Sequence, residues 1–177
     1  MDYESVPVTG QDQLGLFVRD LALCLSVHRD RSPALVWPDG VDAVLVGVCG
    51  VPRQRTDAGA NEARPDTAAT GLGELTAALG SQLGCEVGGS FVVLPTGGQS
   101  TGTTSGTDLV LLPVRGSCGG RVERSPSGEG TAVLDRALEL RLRVGEALYV
   151  PRGFRYTLND AHSPCTLLVL ALHPLAW

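Results

Sequence analysis

Three histidines, five cysteines and 14 basic residues that are all arginine carry most of the reactive nitrogen and sulfur in this 177-residue sequence, and their spacing rules out more chemistry than it permits. With no lysine side chain, Schiff-base catalysis and a lysine general base are excluded apart from the α-amine. His28 lies in an Arg-Asp context beside the first helical stretch, and His162 and His173 share no metal-ligand spacing, so each reads as a surface or structural residue. Cys24, Cys49, Cys85, Cys118 and Cys165 are odd in number, scattered and without a C-x-x-C pair. That pattern fits reduced, mostly buried thiols rather than a disulfide framework or a zinc site. Ser100 and Ser105 sit in a Gly/Ser/Thr loop with no nearby His, which argues against a serine nucleophile.

The elements that must position any site follow from periodicity. A helix is expected over 11–26, where Leu14, Phe17, Leu21 and Cys24 recur near helical spacing. A strand over 34–37, a turn at Pro38-Asp39-Gly40 and a second strand over 42–49 follow; 51–70, rich in Arg, Asp, Ala, Asn and Pro, reads as a surface loop. Leu72, Leu75, Leu79 and Leu83 predict a helix over 71–83 with Gly84 as its stop. Beyond it come a strand over 85–94, a Gly/Ser/Thr loop over 95–106, a buried strand over 108–114, a turn over 116–120, and strands over 121–123 and 131–143 flanking a polar loop at 125–130. Leu140, Leu142 and Val144 alternate with Arg141, Arg143 and Gly145; 147–150 is a short apolar run, and Pro151 and Gly153 force a turn into a strand over 154–158. The apolar run 166–172 is expected inside a sheet.

The 43% hydrophobic content and net charge of −5 describe one soluble globular domain over 1–177, with an N-terminal helix and strands to 50, a loop over 51–70 and a core over 71–177. There is no basic excess to hold nucleic acid and no apolar run long enough for a membrane span. The acidic start Met-Asp-Tyr-Glu-Ser is unlike a secretory signal, so a cytoplasmic location is expected. The absence of Ile as well as Lys suggests the codon bias of a GC-rich genome such as an actinobacterium's.

The frame Gly145, Glu146, Tyr149, Pro151, Gly153 resembles a corner of the cupin superfamily, and within it the JmjC-like branch of ribosomal protein hydroxylases, which writes it Gly-Asp-x-x-Tyr-x-Pro-x-Gly-x-x-His. LGELTAALGSQLGCEVGGSFVVLPTGGQS is similar to that branch's helix, strand and loop, and SPCTLLVLALHPLAW to its last core strand. The resemblance covers roughly 72–177, and 11–49 loosely. It implies a mostly β fold, a double-stranded β-helix (cupin or jelly-roll) barrel with two or more flanking helices.

That family holds Fe(II) with two His and one carboxylate. The resemblance places Thr103, Ser105 and Thr107 at the family's first ligand motif and Tyr156 at its distal His, while the family's Gly-x-Lys-x-Trp becomes Gly116 to Gly120. No His or carboxylate occurs from Phe91 to Thr107, so neither a metal nor a cofactor is expected, and iron/2-oxoglutarate oxygenation is rejected. In the implied barrel Tyr156 becomes the candidate catalytic or orienting phenol, with Gln99, Thr103, Ser105, Arg155 and Cys165 as candidate substrate-binding residues; Asp108 and Glu146 read as structural. Two functions fit: a metal-independent binder of a small organic molecule acting as a non-oxidative cyclase or isomerase of natural-product biosynthesis, or a dead pseudo-oxygenase serving as a binding or protein-interaction module. The expected partner is a small-molecule ligand, without nucleic acid or membrane, and a homodimer is left open.

Overall fold

A computed structural model describes residues 9–49, 65–125 and 137–174. Thr9 opens the first helix, α1 (Gly10–His28), with a capping box: its hydroxyl accepts from the Asp12 N–H at 3.3 Å, and the Asp12 carboxylate accepts from the Thr9 N–H at 3.0 Å. Phe17, Val18, Leu21 and Leu25 form its buried stripe. A short strand, β1 (Ala34–Val36), follows as expected.

The next segment departs from the sequence reading. Residues 42–49 are not a strand but most of a helix, α2 (Val41–Cys49). Its β-branched residues favour a strand locally, yet Val44 and Val48, one helical turn apart, are both buried in the core that α1 and the sheet share. The missing side chain of Gly71 lets the next helix lie almost in backbone contact with α2, since a Cβ added at Gly71 would meet the Gly47 carbonyl oxygen at 2.1 Å. Tertiary burial thus overrides propensity. The third helix, α3 (Pro65–Leu83), takes in 65–70 of the expected loop, the remainder of which (51–64) lies outside the described residues, and it stops at Gly84 with φ of 62°.

The strands that follow are β2 (Cys85–Leu94), β3 (Thr103–Thr104), β4 (Asp108–Arg115), β5 (Ser117–Arg124), β6 (Leu138–Arg143), β7 (Ala147–Val150), β8 (Phe154–Asn159) and β9 (Cys165–Pro174). The expected turn at 116–120 is a strand from Ser117 onward; only Gly116, at φ of 74°, turns the chain. Gly119 belongs in β5 because the Asn159 side chain occupies the space its Cβ would need, 2.2 Å from Asn159 Oδ1. The expected strand over 131–143 is described from Ala137 on, with β6 beginning at Leu138, and the polar loop at 125–130 lies outside the described residues apart from Ser125.

Two antiparallel sheets result, one ordered β1-β7-β4-β9-β2 and the other β3-β8-β5-β6. The pairings nest, β5 with β6, β4 with β7, β3 with β8 and β2 with β9, which is the winding of a jelly roll. Among the described residues no ladder joins one sheet to the other, so the architecture is two facing sheets that keep their own edges.

Alternation along the strands makes two cores. Leu111, Leu142, Leu148 and Leu167, each fully buried, fill the space between the sheets. Val110, Leu112, Tyr149, Leu168 and Leu170 point to the opposite face of the larger sheet, where α1, α2 and α3 cover them. Strands β4, β7 and β9 are apolar on both faces for this reason, and β9 lies inside its sheet as its continuous apolar run predicts. No helix among the described residues is long and apolar enough to cross a membrane.

Candidate functional site

The Pro151 to Gly153 corner ties the start of β8 to the loop before β4. Gly153, at φ of 79°, donates its N–H to the Ser105 carbonyl at 2.8 Å, and the Ser105 N–H donates to the Phe154 carbonyl at 2.9 Å. From there β8 alternates. Phe154 and Leu158 are buried between the sheets with Tyr156 packed against the same core, while Arg155 faces outward. The ladders place Thr103, Tyr156, Val122 and Leu138 on one rung across the smaller sheet. Ser100 fixes the preceding loop, its N–H donating to the Leu158 carbonyl and its Oγ accepting from the Leu158 N–H, both at 2.8 Å.

Tyr156 is half-buried, and burial pushes its phenol above the usual range. Among the described residues no group hydrogen-bonds that phenol. The nearby hydroxyls are committed elsewhere: Thr103 Oγ1 donates to the Thr101 carbonyl at 3.1 Å, and Ser105 Oγ to the Thr107 carbonyl. Thr103 and Gln99 are exposed. Arg155 is exposed and lies against Gly102, where a Cβ would come within 2.4 Å of its Nε. Cys165 is fully buried in the core between the sheets beside Cys118, whose thiol burial pushes up to about 12. The structure therefore brings Tyr156, Thr103 and Ser105 to one end of the sandwich, sets Gln99 and Arg155 on its surface and packs Cys165 into its core.

The donor set does not fit Fe(II). Two of its members are neutral hydroxyls already donating to backbone carbonyls, and the third is a phenol. The Asp108 carboxylate is occupied: Oδ1 accepts from the Tyr149 hydroxyl and the Arg152 N–H, each at 3.0 Å, and Oδ2 from Arg29 Nε at 3.2 Å. Among the described residues no three His, Cys, Asp or Glu side chains cluster as a metal site. His28 Nδ1 lies 3.0 Å from Ser32 Oγ, and His162 and His173 are exposed. Glu146 closes the turn before β7, accepting from the Arg143 N–H at 2.9 Å and from Trp37 Nε1 at 3.2 Å.

A cavity of about 420 Å³ opens at the same end of the sandwich, walled by Pro33 on one side and by Val122, Arg124, Leu138 and Phe154 on the other. Val122 shares the rung of Tyr156 one strand away, a separation of about 4.8 Å, and Leu138 lies one strand further along the same rung. The Arg124 guanidinium carbon sits 5.7 Å from the centroid of the Phe154 ring. None of these lining residues stood out in the sequence. The available signal was alternation, which puts Val122 and Arg124 on one face. Two further cavities lie on the helix side, one among α1, α2 and α3 (about 340 Å³) and one between α1 and β1 (about 380 Å³).

No protein-family model matches this sequence, and no curated protein sequence matches it. Solved structures do. The chain is similar to E. coli ycfD at 17% identity with a TM-score of 0.51, over 86% of this chain and 52% of that one. It is similar to RmlC from Streptococcus suis, solved in complex with dTDP-D-xylose, at 13% identity and TM-score 0.43 over 51% of this chain and 45% of that one. An RmlC-like cupin family protein with a double-stranded β-helix fold from Methanocaldococcus jannaschii matches at 19% identity and TM-score 0.40, over 49% and 70%. The chain spans about half the length of the first two proteins. At 17% identity the likeness to E. coli ycfD concerns the fold alone.

Proposed function

We propose that this protein is a metal-independent, cupin-like binder of a small organic molecule, which it holds at the open end of the sandwich, and that non-oxidative cyclisation or isomerisation is the reaction class this site suits. The observation that carries the reading is Tyr156: an inward-facing, half-buried phenol, unclaimed by any described group, one strand from an apolar cavity. With its pKa raised by burial, the phenol stays protonated near neutral pH and acts as a donor. Aimed at a ligand carbonyl, such a donor stabilises charge that develops on oxygen, an effect worth about 10²–10³ in rate for one well-placed group. Val122, Leu138 and Phe154 supply an apolar wall against which a flexible ligand folds into a reactive conformer.

A binding module without catalysis is the second reading, favoured by the solid interior: Leu111, Leu142, Leu148 and Leu167 are fully buried, so the ligand is confined to the mouth. Tyr156→Phe addresses both. Because the phenol makes no described hydrogen bond, the variant should keep wild-type stability within about 0.5 kcal/mol. Candidate ligands are found by ligand-observed NMR against the wild type, and the variant should bind a carbonyl-bearing ligand more weakly, by about 1 kcal/mol. Unchanged binding together with lost stability would show that the phenol is structural. Binding that weakens without any turnover of the ligand would favour the module.

A further inference from the structure

Resting on that reading, we infer that the ligand is an apolar carboxylate and that Arg124 is its anchor. Arg124 ends β5 on the same face as Val122 and directly opposite Phe154, so its side chain belongs to the cavity mouth. Stacking over the Phe154 ring orients the guanidinium and leaves its N–H edge available. Four arginines of the fold are matched with acids: Arg19 with Asp20, Arg29 with Asp108, Arg152 with Asp30, and Arg121 with Glu123 and Glu139; Arg31, Arg115, Arg141, Arg143 and Arg155 form no ion pair among the described residues, but none of them lines the cavity. Among the described residues no acid pairs with Arg124, and Glu123, the carboxylate in the cavity wall, is engaged by Arg121 at 3.0 Å.

The chemistry of the partner follows. A planar fork of donors at the rim of an apolar wall matches a carboxylate through two parallel hydrogen bonds, with the ligand's body against Val122, Leu138 and Phe154. A phosphate dianion calls for more positive charge than the described rim offers, since Arg124 is the one cationic side chain among the described residues of the cavity lining. The volume of about 420 Å³ lies in the range of about 300–1,000 Å³ usual for small-molecule sites.

The test uses a matched series, 4-phenylbutyrate, 4-phenylbutanol and 4-phenylbutyl phosphate, titrated by calorimetry or ligand-observed NMR into the wild-type chain, Arg124→Gln, Arg124→Lys and Arg121→Gln. The carboxylate should bind about tenfold or more tighter than the alcohol in the wild type. Arg124→Gln should bring the carboxylate down to the level of the alcohol without changing the alcohol, Arg124→Lys should fall between, and Arg121→Gln should match the wild type. Melting curves confirm that the variants are folded. If the alcohol and carboxylate bind equally in the wild type, if the phosphate binds tightest, or if Arg124→Gln changes nothing, the anchor is wrong while alcohol binding keeps the wider reading alive. If no member binds at millimolar concentration, both fail.

Discussion

Asp108 gives a test in which two substitutions at one position should differ severalfold. Its side chain is 5% exposed, and Oδ1 alone accepts from both the Tyr149 hydroxyl and the Arg152 N–H, while Oδ2 takes Arg29. Asp108→Ala strands the Tyr149 hydroxyl, on a residue 1% exposed, at about 1–3 kcal/mol, and leaves the Arg152 N–H short of a partner at about 1 kcal/mol. The Arg29 ion pair adds about 0–1 kcal/mol, since that guanidinium is 41% exposed and screened by solvent. The loss should total about 2–5 kcal/mol, a drop in Tm of roughly 4–20 °C for a domain of this size. Asp108→Asn retains an oxygen at Oδ1 for both buried donors and gives up chiefly the ion pair, so it should cost about 1 kcal/mol, as should Arg29→Gln. Urea unfolding of the three variants with a shared m-value supplies the measurement. Equal losses for Ala and Asn would mean that the charge facing Arg29, not the buried acceptor, holds this end together, and the reasoning would be refuted.

The buried thiols and phenol set an alkaline limit. Cys118 is pushed from 9.0 up to about 12 chiefly by burial, and Tyr149 is raised first by burial and then by Asp108. Because the folded state holds these protons more tightly, their full contribution is present below the unfolded pKa values and is lost as pH rises toward the folded ones; the urea midpoint should fall from about pH 9 upward, less steeply in Cys118→Ala. For the same reason a thiol reagent at pH 8 should modify at most Cys24 and Cys49 in the native protein, with Cys85, Cys118 and Cys165 reacting on unfolding, as mapped by mass spectrometry. Gly116→Ala should cost about 1–3 kcal/mol, because φ is 74° and the new Cβ would meet the Pro164 carbonyl at 2.6 Å; Gly97→Ala, at φ of 69° in open space, should cost about 1 kcal/mol by the same denaturation assay.

What could be read from the sequence was what local pattern controls. The alternation at Leu140 and Leu142, the Pro151 to Gly153 corner and the helical stripe at Leu75 and Leu79 hold, since each encodes its own burial, whereas Val144 lies beyond β6 in the turn and is exposed. The stretch Val41–Cys49 did not read correctly, because β-branched residues favour a strand until the bare Gly71 lets its helix close on the Gly47 carbonyl, a contact between residues 24 positions apart. Gly119 of β5 misled in the same way, since it makes room for Asn159 from another strand. At the site, the placement of Tyr156 followed from counting beyond the corner, and period two already sends its neighbour Arg155 to the other face. Arg124 was illegible because its meaning depends on Phe154 opposite it and on which acids are already engaged.

The nested ladder fixes an order of assembly. β5 and β6 meet across a short separation, whereas Cys85 of β2 waits for Pro174 of β9. During synthesis at about 5–20 residues per second, roughly 5–20 s pass between the emergence of those two partners. Until β9 arrives to fill the gap between β2 and β4, both strands have an open edge, and the apolar residues Leu109 to Leu112 have only one neighbouring strand to cover them. A nascent chain of this topology is therefore at its most adhesive just before β9 emerges, and its yield in a cell should respond to the supply of chaperones that occupy exposed sheet edges more than to the final stability of the fold.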